Sequence, residues 1–135
     1  MTRRGERTLL QVAVAITCLV PLAASTFGIV RGAAWLQPEP TTDLDSHFRY
    51  LSGIFLVMGL AFVSCIPSIE SKTARFRLLG AMVVGGGLAR LVSFGSHGAP
   101  LAVHELGLGI ELIVVPLLML WQTRVARRYR PGGGA

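Results

Sequence analysis

Arg90 and Glu111 are the residues whose chemistry most needs explaining, because each stands alone in an apolar run, GGGLARLVSF at Gly85 to Phe94 and GLGIELIVVP at Gly107 to Pro116. A guanidinium offers five donors and a carboxylate only acceptors, so the two can neutralise each other or together grip a polar ligand. Further ionisable groups gather in the same helical registers. Asp45 and Arg49 are four apart and share a face, with His47 between them. His104 and Glu111 are seven apart and also share a face, whereas Glu105 is turned away by about 100°. Glu111 or Glu105 with His104 could act as general acid and base. No nucleophile with an adjacent base accompanies them, and Ser93 and Ser96, near His97 and His104, lie in no nucleophile elbow. Cys18 and Cys65 fall at different depths, which argues against a disulfide, and no Cys/His spacing suits a metal. The sequence therefore assigns no catalytic residue, no metal ligand and no cofactor.

These residues must be positioned by elements that the composition makes plain. The 135 residues are 52% hydrophobic and 15% charged, a mixture that points to a membrane protein. A crossing helix needs roughly 20 apolar residues, and four segments qualify: about 8–30, 47–66, 76–94 and 100–121. The expected fold is all-α, a four-helix transmembrane bundle over 8–123, with basic tails at 1–7 and 124–135, the second partly disordered. The formal charge of +6 does not point to nucleic acid, because the basic residues sit at the ends of apolar segments rather than across a folded face. Arg3, Arg4 and Arg7 precede the first span, Lys72, Arg75 and Arg77 lie between the second and third, and Arg124, Arg127, Arg128 and Arg130 follow the fourth. The first connection has only Arg31 against three acids and the third has no Lys or Arg, so the alternation predicts that both termini are cytoplasmic. A cleavable signal peptide ending near Ala23, Ala24 and Ser25 is the competing reading of the N-terminus, and the apolar run continuing to Val30 speaks against it.

The connections and the residues inside the spans carry their own expectations. Pro38 and Pro40 favour an extended first loop, Asp43, Asp45 or Ser46 can cap the second helix, Pro67 closes it, and Pro100 suits the first turn of the fourth. Gly53, Gly59, Gly80, Gly85, Gly86, Gly87, Gly107 and Gly109 predict tight helix crossings, which membrane proteins use in place of a hydrophobic driving force. Pro21 and Pro116 predict kinks that free the carbonyls of Thr17 and Leu112.

Depth arithmetic then pairs the two buried charges. At about 1.5 Å per residue, Arg90 lies roughly 20 Å along the third helix from Arg77, and Glu111 roughly 20 Å back from Arg124. Matched depth inside apolar surroundings predicts an Arg90–Glu111 contact. The same count places His47, Arg49, His104 and Glu105 near the outer boundary, so the cluster Arg49, Arg90, Glu111, His104, Glu105, Asp45 and His47 is expected in the outer half. Two readings are open for it: a structural ion-pair network setting helix register, or an outward-facing polar cavity binding a small ligand, a lipid head group or a proton.

The stretches FRYLSG at Phe48 to Gly53, LLGAMVVGGGLARLVS at Leu78 to Ser93, the Gly-Ala-Pro turn and ELIVVP at Glu111 to Pro116 resemble the family known as domain of unknown function 4345, over about Thr8 to Trp121. The resemblance implies four transmembrane helices, a bacterial inner-membrane setting and kinship with the broad DoxX-like group of four-helix membrane proteins. It implies no established activity, and of single positions only that Arg49, Arg90 and Glu111 matter. The expected role is a non-catalytic accessory or ligand-binding membrane component, partnered by the lipid bilayer and by a lipid-like or small-molecule ligand, with self-association or membership of a larger complex open. A subunit of a transporter or quinone-linked complex, and a membrane-embedded enzyme using Glu111 and His104, are the alternatives.

Overall fold

The computed structural model describes residues 2–98 and 102–129. Among these residues the chain is helical with no strand: α1 (Arg3–Arg31), a 3₁₀ turn (Gly32–Trp35), α2 (Thr42–Val63), a 3₁₀ turn (Ile66–Ser68), α3 (Thr73–His97), α4 (Ala102–Gly109), a π-helical turn (Ile110–Val114) and α5 (Val115–Tyr129). Four stretches, Arg3–Trp35, Thr42–Ser68, Thr73–His97 and Ala102–Tyr129, are long and apolar enough to cross a membrane. The expected all-α class with four spans is what the chain adopts. The Pro100 turn and the PGGGA tail lie outside the described residues.

The first three helices begin earlier than the apolar segments, α1 because Arg and Glu are good helix formers and carry the helix past the apolar run. The basic residues Arg3, Arg4 and Arg7 thus belong to α1, and Arg75 and Arg77 to α3. Outward-facing side chains are apolar: Val30 and Val92 are each 71% exposed and Leu120 69%. That inversion of the soluble pattern is what a lipid solvent selects.

The residues group into two compact units, one of 1–11 with 67–135, the other of 12–66. In the second unit, a Cβ on Gly59 would come within 3.1 Å of Leu22, and one on Gly28 would collide with Ser52 and Phe48. Val14, Cys18, Ser25, Phe62 and Cys65 are buried, and neither cysteine is in a disulfide. Pro21 leaves α1 unbroken, and Ser25 Oγ, 2.5 Å from the Pro21 carbonyl and 3.2 Å from that of Leu22, donates back to the preceding turn as helical serines do.

α1 stops at Gly32, whose φ of +62° is the left-handed cap conformation that glycine adopts without strain. The loop that follows is not the extended path expected from Pro38 and Pro40. It folds back through the 3₁₀ turn and a run of bends, with Glu39 at φ 55°, because it is tied down twice: Asp45 Oδ1 accepts from the Ala33 amide at 2.8 Å, and the Trp35 ring packs edge-on against Phe27 and Phe48. α2 is capped by Thr41, whose hydroxyl accepts from the Leu44 amide at 3.3 Å. Asp45 is committed to the loop and does not cap.

In the first unit, α3 buries Phe76, Leu79, Gly80 and Gly87, and α5 buries Val115, Leu118, Gln122, Val125 and Ala126, both at the three-and-four spacing of a helical face. Gly80 leaves its space to Met119. Gln122, fully buried, donates through Nε2 to the Ile69 carbonyl at 2.8 Å and to Thr73 Oγ1 at 2.9 Å, fastening α5 to the turn that enters α3. In the fourth span Pro116 has no N–H and its ring crowds the preceding turn. The expected kink is expressed as a π-helical turn in which the Val115 amide reaches back five residues to the Ile110 carbonyl.

Only some of the glycines serve as close contacts. Gly59, Gly80, Gly87 and Gly107 do, whereas Gly53, Gly85, Gly86 and Gly109 have nothing within 4 Å of the position a Cβ would take. Two substitutions separate the classes by thermal unfolding in detergent. Gly32→Ala, which meets both a positive φ and the side chains of Asp45 and Arg49, is expected to cost about 1–3 kcal/mol. Gly85→Ala should be neutral or stabilise by up to about 1 kcal/mol through helix propensity.

Candidate functional site

The first unit brings three of the sequence-predicted residues together. Arg90 lies four turns into α3, His104 in the first turn of α4, and Glu111 in the π-helical turn. Arg90 Nη2 is 3.1 Å from Glu111 Oε1, and Arg90 Nη1 is 3.4 Å from His104 Nδ1. A guanidinium has no lone pair to give, so in this contact the imidazole accepts at Nδ1 and keeps its proton on Nε2. Glycines make the approach feasible from both sides. A Cβ on Gly87 would lie 2.9 Å from Glu111 Cβ, and one on Gly107 would lie 3.2 Å from Arg90 Nη1. Each helix clears a glycine, one turn before its own charge, for the charged side chain of the other.

The pair is unevenly spent. Glu111 Oε2 is buried and has no hydrogen-bond partner among the described residues. The Arg90 side chain is 36% exposed and that of Glu111 10%, and at most two of Arg90's five N–H groups are engaged by Glu111 and His104. The site thus presents spare donors beside an unused carboxylate oxygen.

The second unit uses its predicted residues differently. Arg49 Nε pairs with Asp45 Oδ2 at 2.7 Å, while Arg49 Nη1 donates to the Ile29 carbonyl and, at 3.4 Å, to that of Val30. Those are the last carbonyls of α1, which have no intrahelical donor and attract a cation. Asp45 spends its other oxygen on the Ala33 amide. This group fastens the end of α1 to the start of α2 and engages both oxygens of Asp45. His47 is exposed, its ring 6.5 Å from that of Tyr50. Glu105 is exposed and joins none of the ion pairs among the described residues. No group of three or more His, Cys, Asp or Glu side chains among those residues is arranged to hold a metal.

Sequence reasoning missed a second polar layer in the first unit. Glu6 is 3% exposed and is held by Arg124 at 3.2 Å and Arg128 at 2.5 Å. Arg7 donates to the Pro67 carbonyl at 2.7 Å, and its Nε approaches Glu70 at 2.9 Å without the alignment of a hydrogen bond. The signal was available: Glu6 is the one acid in a basic run, and Arg124 and Arg128 are four apart on one face.

A double-mutant cycle in detergent measures the central pair. Arg90→Leu alone strands a buried carboxylate and should cost about 3 kcal/mol, the lower end for buried pairs because Arg90 is partly exposed. The Arg90→Leu/Glu111→Leu double variant should cost less than that single change. Gly87→Ala, which meets the fixed Cβ of Glu111, should destabilise more than Gly107→Ala, which meets only the movable tip of Arg90.

Neither a curated protein nor a solved structure matches the chain. A family model does, over residues 9–122, a range that contains Arg49, Arg90, His104 and Glu111. The chain belongs to the family described as Domain of unknown function (DUF4345).

Proposed function

We propose that this is a non-catalytic protein of the bacterial inner membrane, with both termini cytoplasmic, whose Arg90–His104–Glu111 cluster holds the polar end of a small or lipid-like ligand. The observation that carries the reading is the buried, unpartnered Oε2 of Glu111 beside a guanidinium with donors to spare. Buried carboxylate oxygens are nearly always satisfied, so an unsatisfied one asks for a partner, and an ionisable residue within a span is by default a functional hypothesis. A hydroxyl-bearing head group meets both needs: its O–H donates to Glu111 Oε2 and its oxygen accepts from Arg90. The π-helical turn carrying Glu111 supports the reading, since such turns recur at functional sites. For catalysis the Arg90–His104–Glu111 cluster lacks a nucleophile. The cytoplasmic placement of the termini rests on the alternation of Lys and Arg between connections.

Native mass spectrometry of the full chain, released gently from its own membrane, tests the ligand. A defined adduct should be retained by wild type and by Glu105→Gln and lost from Glu111→Gln and Arg90→Lys. A bare wild-type chain, or an adduct indifferent to all three changes, would overturn it. A C-terminal reporter that is active only in the periplasm should be silent.

A further inference from the structure

The first unit carries positive charge that the Arg90–Glu111 site does not use. Where α1 begins beside the end of α5, five arginines, Arg3, Arg4, Arg7, Arg124 and Arg128, stand with two carboxylates, Glu6 and Glu70. Glu6 is taken by Arg124 and Arg128, and Glu70 by Arg7. Arg3 and Arg4 are exposed and join no ion pair among the described residues. They do not point into empty solvent alone: with Arg7, Thr8 and Tyr129 they line an open cleft of about 560 Å³, within the size range of small-ligand sites.

Two features of the cleft specify what it would hold. The Tyr129 hydroxyl is buried without a hydrogen-bond partner among the described residues, so the wall offers an unspent O–H as well as guanidinium forks. The cleft also lies beside the first two turns of a 29-residue helix, whose positive dipole end favours an anion, although Thr2 already accepts from the Gly5 and Glu6 amides. Arginine forks, a phenolic O–H and a helix N-terminus converge on a tetrahedral oxyanion with several acceptor oxygens. Position narrows the class further. Thr8 opens the apolar part of α1, and its neighbour Leu9 is 49% exposed, so acyl chains attached to the anion could run down the helix from the cleft, as basic clusters at the foot of a span permit.

We propose that this cleft is a phosphate-binding site, filled by the phosphate of an anionic phospholipid or by free phosphate. The full chain purified in dodecyl maltoside is titrated with dioleoyl phosphatidylglycerol, with dioleoylglycerol, which lacks the phosphate, and with inorganic phosphate, and bound species are counted by native mass spectrometry. One phosphatidylglycerol should bind about tenfold more tightly than dioleoylglycerol, and Arg3→Gln/Arg4→Gln should weaken it about tenfold through the loss of two charge-assisted contacts. Tyr129→Phe should weaken it about threefold, a single neutral hydrogen bond. Lys72→Gln/Arg127→Gln, which removes two charges outside the cleft, should change it less than about twofold. Neither Arg3 nor Arg4 pairs with Glu6 or Glu70, so the thermal midpoint should hold in the double variant. Displacement of the lipid by millimolar phosphate would identify phosphate itself as the ligand. A lipid adduct that resists phosphate would identify the head group. Equal retention of phosphatidylglycerol and dioleoylglycerol, equal weakening by the two charge-removing pairs, or no adduct with any probe would overturn the proposal.

Discussion

A charge within an apolar helix has no water to turn to, and the third and fourth spans are built around that constraint. An isolated one costs about 2.5–3.5 kcal/mol or more at the centre of a bilayer, so Arg90 and Glu111 must meet, and backbones carrying ordinary side chains would hold them too far apart. Gly87 and Gly107 remove the obstruction reciprocally. Pro116 adds the third element: by denying a donor to the turn before it, it widens the helix over Ile110–Val114, and Glu111 sits in that widened turn. Glycines, proline and ion pair are one local solution, and changing any of them disturbs the others.

The ion pairs of this chain differ in how completely they are used. Asp45 gives one oxygen to Arg49 and the other to Ala33, and Glu6 gives one to Arg124 and the other to Arg128. Such acids, with both oxygens engaged, fasten chain segments, one at the end of α1 and one at its start. Glu111 gives one oxygen and keeps one. Buried ionic groups tell little about stability by their presence, but an unspent acceptor beside unspent donors sets the Glu111 site apart from these staples.

Much of this was legible in the residue order. Helix rise converts sequence distance into depth, which is why Arg90 and Glu111 could be paired from their separations from Arg77 and Arg124 alone, and i to i+4 spacing showed Asp45 and Arg49 as neighbours. The glycines were legible only in part: small residues permit close approach, but Gly53, Gly85, Gly86 and Gly109 point where no neighbour comes. Thr41 rather than Asp45 caps α2 because Asp45 is drawn away by the Ala33 amide, a contact across twelve residues that local preference cannot foresee.

Hydropathy and the 3.6-residue period, which act along a single helix, sufficed for the all-α class and for four helices long and apolar enough to cross a membrane. Everything that depends on which face meets which neighbour was decided by tertiary structure: the burial of Glu6 between two arginines, the clasp of Gln122 on Ile69 and Thr73, the cleft lined by Arg3, Arg4 and Tyr129, and the carboxylate oxygen of Glu111 that Arg90 leaves unused. The physical reason is that periodicity places a side chain on its own helix, whereas partnership depends on the rotation of a second helix, set by packing among residues far apart in the chain.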